Sequence, residues 1–475
     1  MIDSLHRSLE AIVGAAWVSA DPDRLEAAGR DALKLGRRAD LLVTPGSTRE
    51  VAAIAALCHD LRQPFVVRGA GTGYTGGAVP IRGGLVVSMA RFDRILEIDP
   101  ANLLAVVQPN VVTRDLHDAV EAHGLFYPPD PASLAECAIG GNVAENAGGP
   151  RAFKYGTTRR YVLALEAVLP TGEVLRTGSK SVKNVAGYAL TDLLVGSEGT
   201  LAVLTEITLR LLPRPDVRRT LLATYASIES AAGAVGAIVG KGVVPATLEI
   251  LDAVSLEAVA VHLGRPMAPP GTAAMLLVEV DGSEAAANDD LGRARAACQE
   301  AGATSLVTAT TDAERQRVWE ARRELSYALR GLAPRKINHD VVVPRGRVPA
   351  LYALVDTLRT RHRLKVAAFG HAGDGNIHVN LLVDPTDAAE MARAEAAEQA
   401  LFEGVVALEG AITGEHGVGF AKARYLALQL SPDERALMAR LKQAFDPRGV
   451  LNPGKMWETT PGDLEALTPP PVKAP

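Results

Sequence analysis

Cysteine is nearly absent. Cys58, Cys137 and Cys298, three residues in 475, are too few and too scattered for a disulfide framework or a thiolate metal site. A reducing compartment fits that usage. No stretch approaches the roughly 18–20 consecutive apolar residues of a membrane span. There is no basic block either, and a net charge of −5 argues against nucleic acid as the main partner. The amino terminus lacks the positive charge that opens a signal peptide: Asp3 and Glu10 stand there, and Leu5, Leu9, Ile12 and Val13 follow helical spacing. The expectation is a cytoplasmic protein, soluble or at most peripheral to a membrane.

What the chain does have is globular composition (48% apolar, 22% charged) and a length that calls for two or three domains. Its glycines cluster. After an apolar strand, Pro64–Arg68, comes GAGTGYTGGAVP, in which Gly71–Gly76 satisfies Gly-x-Gly-x-x-Gly. That fingerprint marks a dinucleotide-binding Rossmann unit only when the glycines open a helix. Here Pro80, Gly83 and Gly84 follow at once, then a strand at Leu85–Ser88, so no helix fits. The spacing predicts a loop between strands whose N–H groups form a nest for a pyrophosphate; a plain glycine turn is the competing reading. A second such loop runs from Tyr127 to Gly156, with the pairs Gly140–Gly141 and Gly148–Gly149 allowing close approach to a ligand. A third stretch spans Val195–Pro213. Residues 1–35 read as helical, and Ser47 and Glu50 as the capping box of a helix to Leu61.

Near the carboxyl end, AAFGHAGDGNIHVNLL (367–382) predicts a β-hairpin turning at Asp374–Gly375. Counting outward from a two-residue turn sets His371 opposite His378, with Asn380 on the same face. Two neutral imidazoles that close can share a metal ion. Opposed histidines also serve as packing residues. Gly414-Glu415-His416-Gly417 offers a carboxylate as third ligand and a free imidazole beside it; three N/O ligands with an open position make a catalytic metal site.

Together RGAGTGYTGG, PDPASL…IGGNVAENAGG…KYG and GSEGTLAVLTEITL resemble the FAD-binding domain of the vanillyl-alcohol oxidase/PCMH superfamily. GHAGDGNIHVN, GEHGVG and the Asp446-Pro447…Asn452-Pro453-Gly454-Lys455 stretch narrow the resemblance. It points to the FAD-linked 2-hydroxyacid dehydrogenases of the glycolate oxidase FAD-subunit and D-lactate dehydrogenase type, over about residues 35–457.

The resemblance implies an α+β fold. A two-part PCMH-type FAD-binding domain (36–215) follows an amino-terminal helical segment (1–35). A cap domain (216–410) holds an antiparallel sheet with helices on one side, 411–457 returns to the FAD domain, and 458–475 forms a Pro-rich, disordered tail. FAD would be non-covalent, since Thr72 stands where covalent relatives place a histidine. The first loop would contribute Arg68, Gly69, Ala70, Gly71, Thr72, Gly73, Thr75, Gly76 and Gly77. The second wall would contribute Pro131, Ser133, Gly140, Gly141, Asn142, Asn146, Gly148 and Gly149. Glu198, Gly199, Leu204 and Asn452 complete the implied FAD contacts.

The resemblance also implies metal ligands His371, His378 and Glu415 for zinc, with manganese or iron as alternatives, and His416 as general base. Arg322, with Arg323 beside it as the alternative, would bind the substrate carboxylate, joined by Asn380, Ser326 and Lys336. Asn338 stands nearer the place of a lysine found in D-2-hydroxyglutarate enzymes, which disfavours that substrate. The implied reaction oxidises glycolate or D-lactate to the 2-oxo acid, with hydride passing to flavin N5. The electron acceptor would be a quinone, a cytochrome or a partner subunit, in a homodimer or a hetero-complex. The competing readings are oxidation of another alcohol, a FAD-binding subunit without its own chemistry, and an NAD enzyme.

Overall fold

The computed structural model describes residues 2–468. Chain contacts divide it into two compact units. The first comprises residues up to Gly148, Thr157–Arg214 and Glu415 onward; the second comprises Gly149–Gly156 and Pro215–Gly414. The segment 149–156, expected within the FAD-binding domain, thus belongs to the second unit. It is anchored there by Lys154 and Tyr155, both bonded to the Asp281 carboxylate.

Among the described residues the first unit holds two main sheets and a two-stranded ribbon, Leu125–Phe126 with Leu212–Pro213. Leu41–Val43 and Phe65–Arg68 both pair in parallel with Leu85–Ser88, and Val18–Ser19 adds an antiparallel edge. The unbroken apolar runs suit parallel strands covered on both faces. Helices Ile2–Val13 and Thr48–Leu61 contribute Leu5, Leu9, Val51 and Ile54 to the same core as Leu41, Phe65 and Leu85. A five-stranded antiparallel sheet follows in the order Ile95–Asp99, Leu104–Val107, Val203–Arg210, Val162–Val168, Val174–Gly178. This is the two-part architecture that the sequence implied.

Several local expectations need correction. The first 35 residues are broken at Gly14 and include the strand Val18–Ser19 between two helices. Ser47 caps its helix, but Glu50 reaches back to the Gly46 N–H (2.7 Å) instead of closing a box on Ser47. The Tyr127–Gly156 stretch contains helices Ile139–Glu145 and Ala152–Tyr155. The tail expected to be disordered forms a capped helix, Pro461–Glu465, and Thr468 pairs with Gly36; residues 469–475 lie outside the described residues. Arg82, bonded to Asp463 at 3.1 Å, helps hold it.

The second unit is one seven-stranded antiparallel sheet, ordered Ser305–Ala309, Val217–Tyr225, Ala274–Gly282, Thr247–Asp252, Lys365–His371, Asn376–Val383, Arg335–Val342. Helices cover both faces, not one. Ala253–Leu263 and Asp312–Ala328 pack on Leu251, Phe369 and Leu382. On the opposite face, His339 meets Glu398 and Phe402 of helix Ala388–Ala407.

The tight turn at Asp374–Gly375 does not form. A four-residue loop, 372–375, closes the hairpin, with the Gly375 N–H donating to His371 O at 3.1 Å. His371 faces Asn376, and Phe369 faces His378. The cause lies outside the hairpin: Val343 donates its N–H to Gly375 O (3.1 Å), which draws the loop tip toward the neighbouring strand. The register is therefore two residues from the sequence count. Because side chains alternate with period two, that difference leaves His371 and His378 on one face as diagonal neighbours.

One buried group gives the first unit a pH signature. Asp31 is 8% exposed; Oδ1 accepts the Leu33 N–H at 3.0 Å, while Oδ2 has no hydrogen-bond partner. Burial pushes its pKa up to about 6, against the opposing Leu33 and Gly76 N–H groups and the charges of Arg68 and Lys455. The folded protein therefore binds an extra proton between the unfolded value of 3.8 and about 6. The stability from protonated Asp31 is complete below 3.8 and lost as pH rises through about 6.

Two predictions follow from these elements. Between pH 4 and 6.5, denaturant titrations of the wild type should lose about 2 kcal/mol that Asp31→Asn does not lose; matching pH slopes would contradict the assignment. Gly375 has φ +84°, and an added Cβ would stand 2.0 Å from Val343 O. Gly375→Ala should therefore destabilise the second unit by more than Gly264→Ala. The latter meets open space at φ +66° and bears only backbone strain, about 1 kcal/mol. Equal losses in urea unfolding would refute the backbone conflict.

Candidate active site

The hairpin's polar residues share one face of the second unit's sheet. From the register, Glu249 faces His371, Asp340 faces His378, and Asn338 faces Asn380, with Lys336 two residues further along. The other face of the same strands carries Ile250, Val379 and Leu381, all buried. This alternation is what one apolar core on one side and a polar site on the other require.

The His371 and His378 rings stand edge to face, with centroids 5.4 Å apart. His371 Nδ1 bonds to Glu249 Oε1, which leaves Nε2 as its ligand atom. Glu249 is fully buried, and its other oxygen bonds to Arg322 Nε. Burial pushes the Glu249 carboxyl up, but Arg322 and then His371 outweigh it and hold the group well below the usual carboxylate range. Arg322 sits on the sheet-facing side of helix Asp312–Ala328, beside Ala321 and Leu325, and its guanidinium lies 5.1 Å from the Phe369 ring centroid. Its two Nη groups have no hydrogen-bond partner among the described residues. Arg323 points away and is exposed, bonding to Gln316 O at 2.7 Å. Of the two arginines, the structure brings Arg322 to the histidines.

Other candidates are held by the fold. Asn380 is fully buried: Oδ1 accepts from Asn338 Nδ2 (2.8 Å), and Nδ2 donates to His378 O (3.1 Å). Both ends of its amide are engaged inside the sheet. Lys336 Nζ donates to Ser326 Oγ at 3.0 Å, and burial together with nearby Arg330 lowers its pKa to about 8.

The third ligand arrives by the chain itself. Asp340, fully buried, accepts the Gly414 N–H (2.7 Å) and the Thr413 hydroxyl (3.2 Å). Gly414 ends the second unit, so Glu415 is one peptide bond from that anchor. In the second unit His371 and His378 stand as neighbours, and Glu415 follows Gly414 directly in the chain. Two imidazole nitrogens and a carboxylate, with a second carboxylate orienting one imidazole, can hold a divalent ion. His416 Nε2 is 3.8 Å from Glu415 Oε1. The Thr75 hydroxyl donates to His416 O (3.1 Å), and the Tyr74 ring lies 5.3 Å away, centroid to centroid. Glu198 accepts the Val418 and Gly419 N–H groups at 2.8 and 2.6 Å, fixing the turn after His416. Sequence reading missed Glu249 and Asp340, which sit far from the motifs they serve; no local signal marks them.

In the first unit, residues 69–84 join the strands Phe65–Arg68 and Leu85–Ser88 without a helix. None of the backbone N–H groups from Gly69 to Thr75 donates to the described chain. A run of free donors suits a pyrophosphate. Gly76, at φ +80°, leaves room for the Phe420 ring, which a Cβ there would meet at 1.9 Å. Arg68 braces the loop from below, its guanidinium bonded to Arg30 O. A Cβ on Gly141 would meet open space, whereas one on Gly140 would strike Pro109. Pro131 and Ser133 accept backbone N–H groups within a turn. Asn142, Asn146 and Asn452 spend their amides on Thr113, the Arg159 N–H, and the carbonyls of Gly77 and Glu198. They shape the walls.

Comparison with known proteins agrees with this geometry. Residues 39–178 match the family of FAD binding domains, and residues 214–456 match that of FAD linked oxidases, C-terminal domain. The chain is 44% identical to the glycolate oxidase subunit GlcD of Bacillus subtilis (strain 168), over 88% of this chain and 89% of that protein. It is 37% identical to a D-lactate dehydrogenase of Anaerostipes hadrus, over 88% and 90%. Its fold matches p-cresol methylhydroxylase with a TM-score of 0.79 at 17% identity, covering 96% of each chain. Matched across both halves, the chain belongs to the FAD-linked oxidases and is an FAD-linked oxidoreductase of the PCMH structural type.

Proposed function

We propose that the chain oxidises a small 2-hydroxy acid, glycolate or D-lactate, to the 2-oxo acid, using non-covalent FAD and a divalent metal, zinc before manganese or iron. The observation that carries this reading is the His371–His378 pair, braced by Glu249, with the unpartnered Nη fork of Arg322 on the same sheet face and Glu415 following the Asp340-anchored Gly414 in the chain. The names of the relatives, glycolate oxidase subunit and D-lactate dehydrogenase, support the substrate class.

When bound, FAD supplies the hydride acceptor at N5, and the metal supplies a Lewis acid for the substrate's carboxylate and α-hydroxyl. The chain does the rest. His371 Nε2, a nitrogen of His378 and the Glu415 carboxylate hold the ion, and the Arg322 Nη pair takes the carboxylate in a bidentate grip. His416 receives the hydroxyl proton at Nε2, held in place through Thr75 and the Glu198 clamp. The free N–H groups of residues 69–75 hold the pyrophosphate. Asn380, Ser326 and Lys336 would lie beside the bound acid, with Lys336 held by Ser326 at 3.0 Å.

The described residues contain no thiolate cluster, since the three cysteines are separate and buried. The electron acceptor would then be external to this chain: a quinone, a cytochrome or a partner subunit. The word subunit in the relatives' names favours a second reading, in which the chain works inside a larger electron-transfer complex. No helix of the described residues is long and apolar enough to cross a membrane.

Anaerobic addition of glycolate or D-lactate to the purified protein should bleach the flavin absorbance, and prior treatment with a chelator should abolish the bleaching. Bleaching that ignores the chelator would remove the metal from the mechanism; no bleaching with any 2-hydroxy acid would remove the substrate class. His416→Gln should lower kcat by about 10²–10⁴ with little change in KM. A variant that turns over as fast as wild type would show that the proton goes elsewhere.

A further inference from the structure

Glu249 has no assigned part in the reaction above, yet it is a fully buried carboxylate at the centre of a sheet. An apolar residue would pack there at lower cost if packing were all that was needed, because a buried charge requires matched partners. Its partners are two functional groups. Oε1 takes the Nδ1–H of His371, and Oε2 takes the Nε–H of Arg322.

We propose that Glu249 is a positioning residue shared by the metal ligand and the substrate arginine, so that Arg322 supports metal affinity without touching the metal. The inference rests on the metal-dependent reading and deepens it. An imidazole that donates Nδ1–H to a carboxylate is locked as an Nε2 ligand and made a stronger one. The same carboxylate grips Arg322 by its Nε edge and orients the remaining Nη pair. With the Arg322 side chain 11% exposed and stacked on Phe369, that grip sets where the fork points. Removing the guanidinium leaves the Glu249 charge balanced by His371 alone. That carboxylate, no longer held from its Oε2 side, is free to turn, and the aim of the His371 ring turns with it. Coupling of this kind is reciprocal: what strengthens metal binding strengthens acid binding.

The test is zinc affinity of the FAD-loaded full chain, read by competition with a chromophoric chelator, alongside KM for the acid. Glu249→Gln should weaken zinc binding about 10–100-fold. Arg322→Gln, which removes no ligand, should weaken it about fivefold or more. Arg322→Lys keeps a cation beside Glu249 and should restore zinc affinity to about the wild-type value, while KM stays raised about tenfold or more for want of the fork. If Glu249→Gln does not fold, as judged by flavin content and circular dichroism, the two Arg322 variants decide. Wild-type zinc affinity in Arg322→Gln would overturn the shared role and leave the metal-dependent reading standing. A wild-type protein that binds no zinc would overturn both.

Discussion

The site depends on one buried ionic contact, Glu249 between His371 and Arg322. A sheet covered by helices on both faces offers no water to solvate a charge, so every charged residue on it must find its counterpart within the fold. Period-two alternation concentrates that demand on one face. There Glu249 bonds to His371 and Arg322, Asn338 bonds to Asn380, and Asp340 stands opposite His378, while the other side of the central strands carries Ile250, Val379 and Leu381.

The chain then delivers its last two functional groups by position alone. Asp340 ties down Thr413 and Gly414, Glu415 follows one bond later, and His416 one bond after that. Beyond His416, Glu198 clamps Val418 and Gly419 through their N–H groups. A carboxylate before and a carboxylate after fix a six-residue turn that contains three glycines and would otherwise be free to choose among many conformations. Precision at His416 comes from those two anchors.

How much of this could be read from residues alone differs by distance along the chain. The absence of a Rossmann helix was legible, because Pro80 and the next strand leave no room for one. The shared face of His371 and His378 was legible too, and it survived a wrong turn geometry because a displacement of two residues preserves the face. The turn itself was not legible: its conformation answers to Val343, thirty residues earlier in the chain and invisible to local pattern. Glu249 lies 122 residues from His371 and reads locally as one polar letter in an apolar strand. Asn142 bonds to the Thr113 hydroxyl and Asn452 to the carbonyls of Gly77 and Glu198, long-range partners that no local motif names.

The measurement that bears most directly on the site is anomalous diffraction at the zinc edge from crystals of the zinc-loaded protein. One strong peak should appear about 2.0–2.2 Å from His371 Nε2, from a nitrogen of His378 and from a Glu415 oxygen, with Glu249 still bonded to His371 Nδ1. A zinc peak elsewhere, or none at full occupancy of the flavin, would contradict a metal centre built by this hairpin.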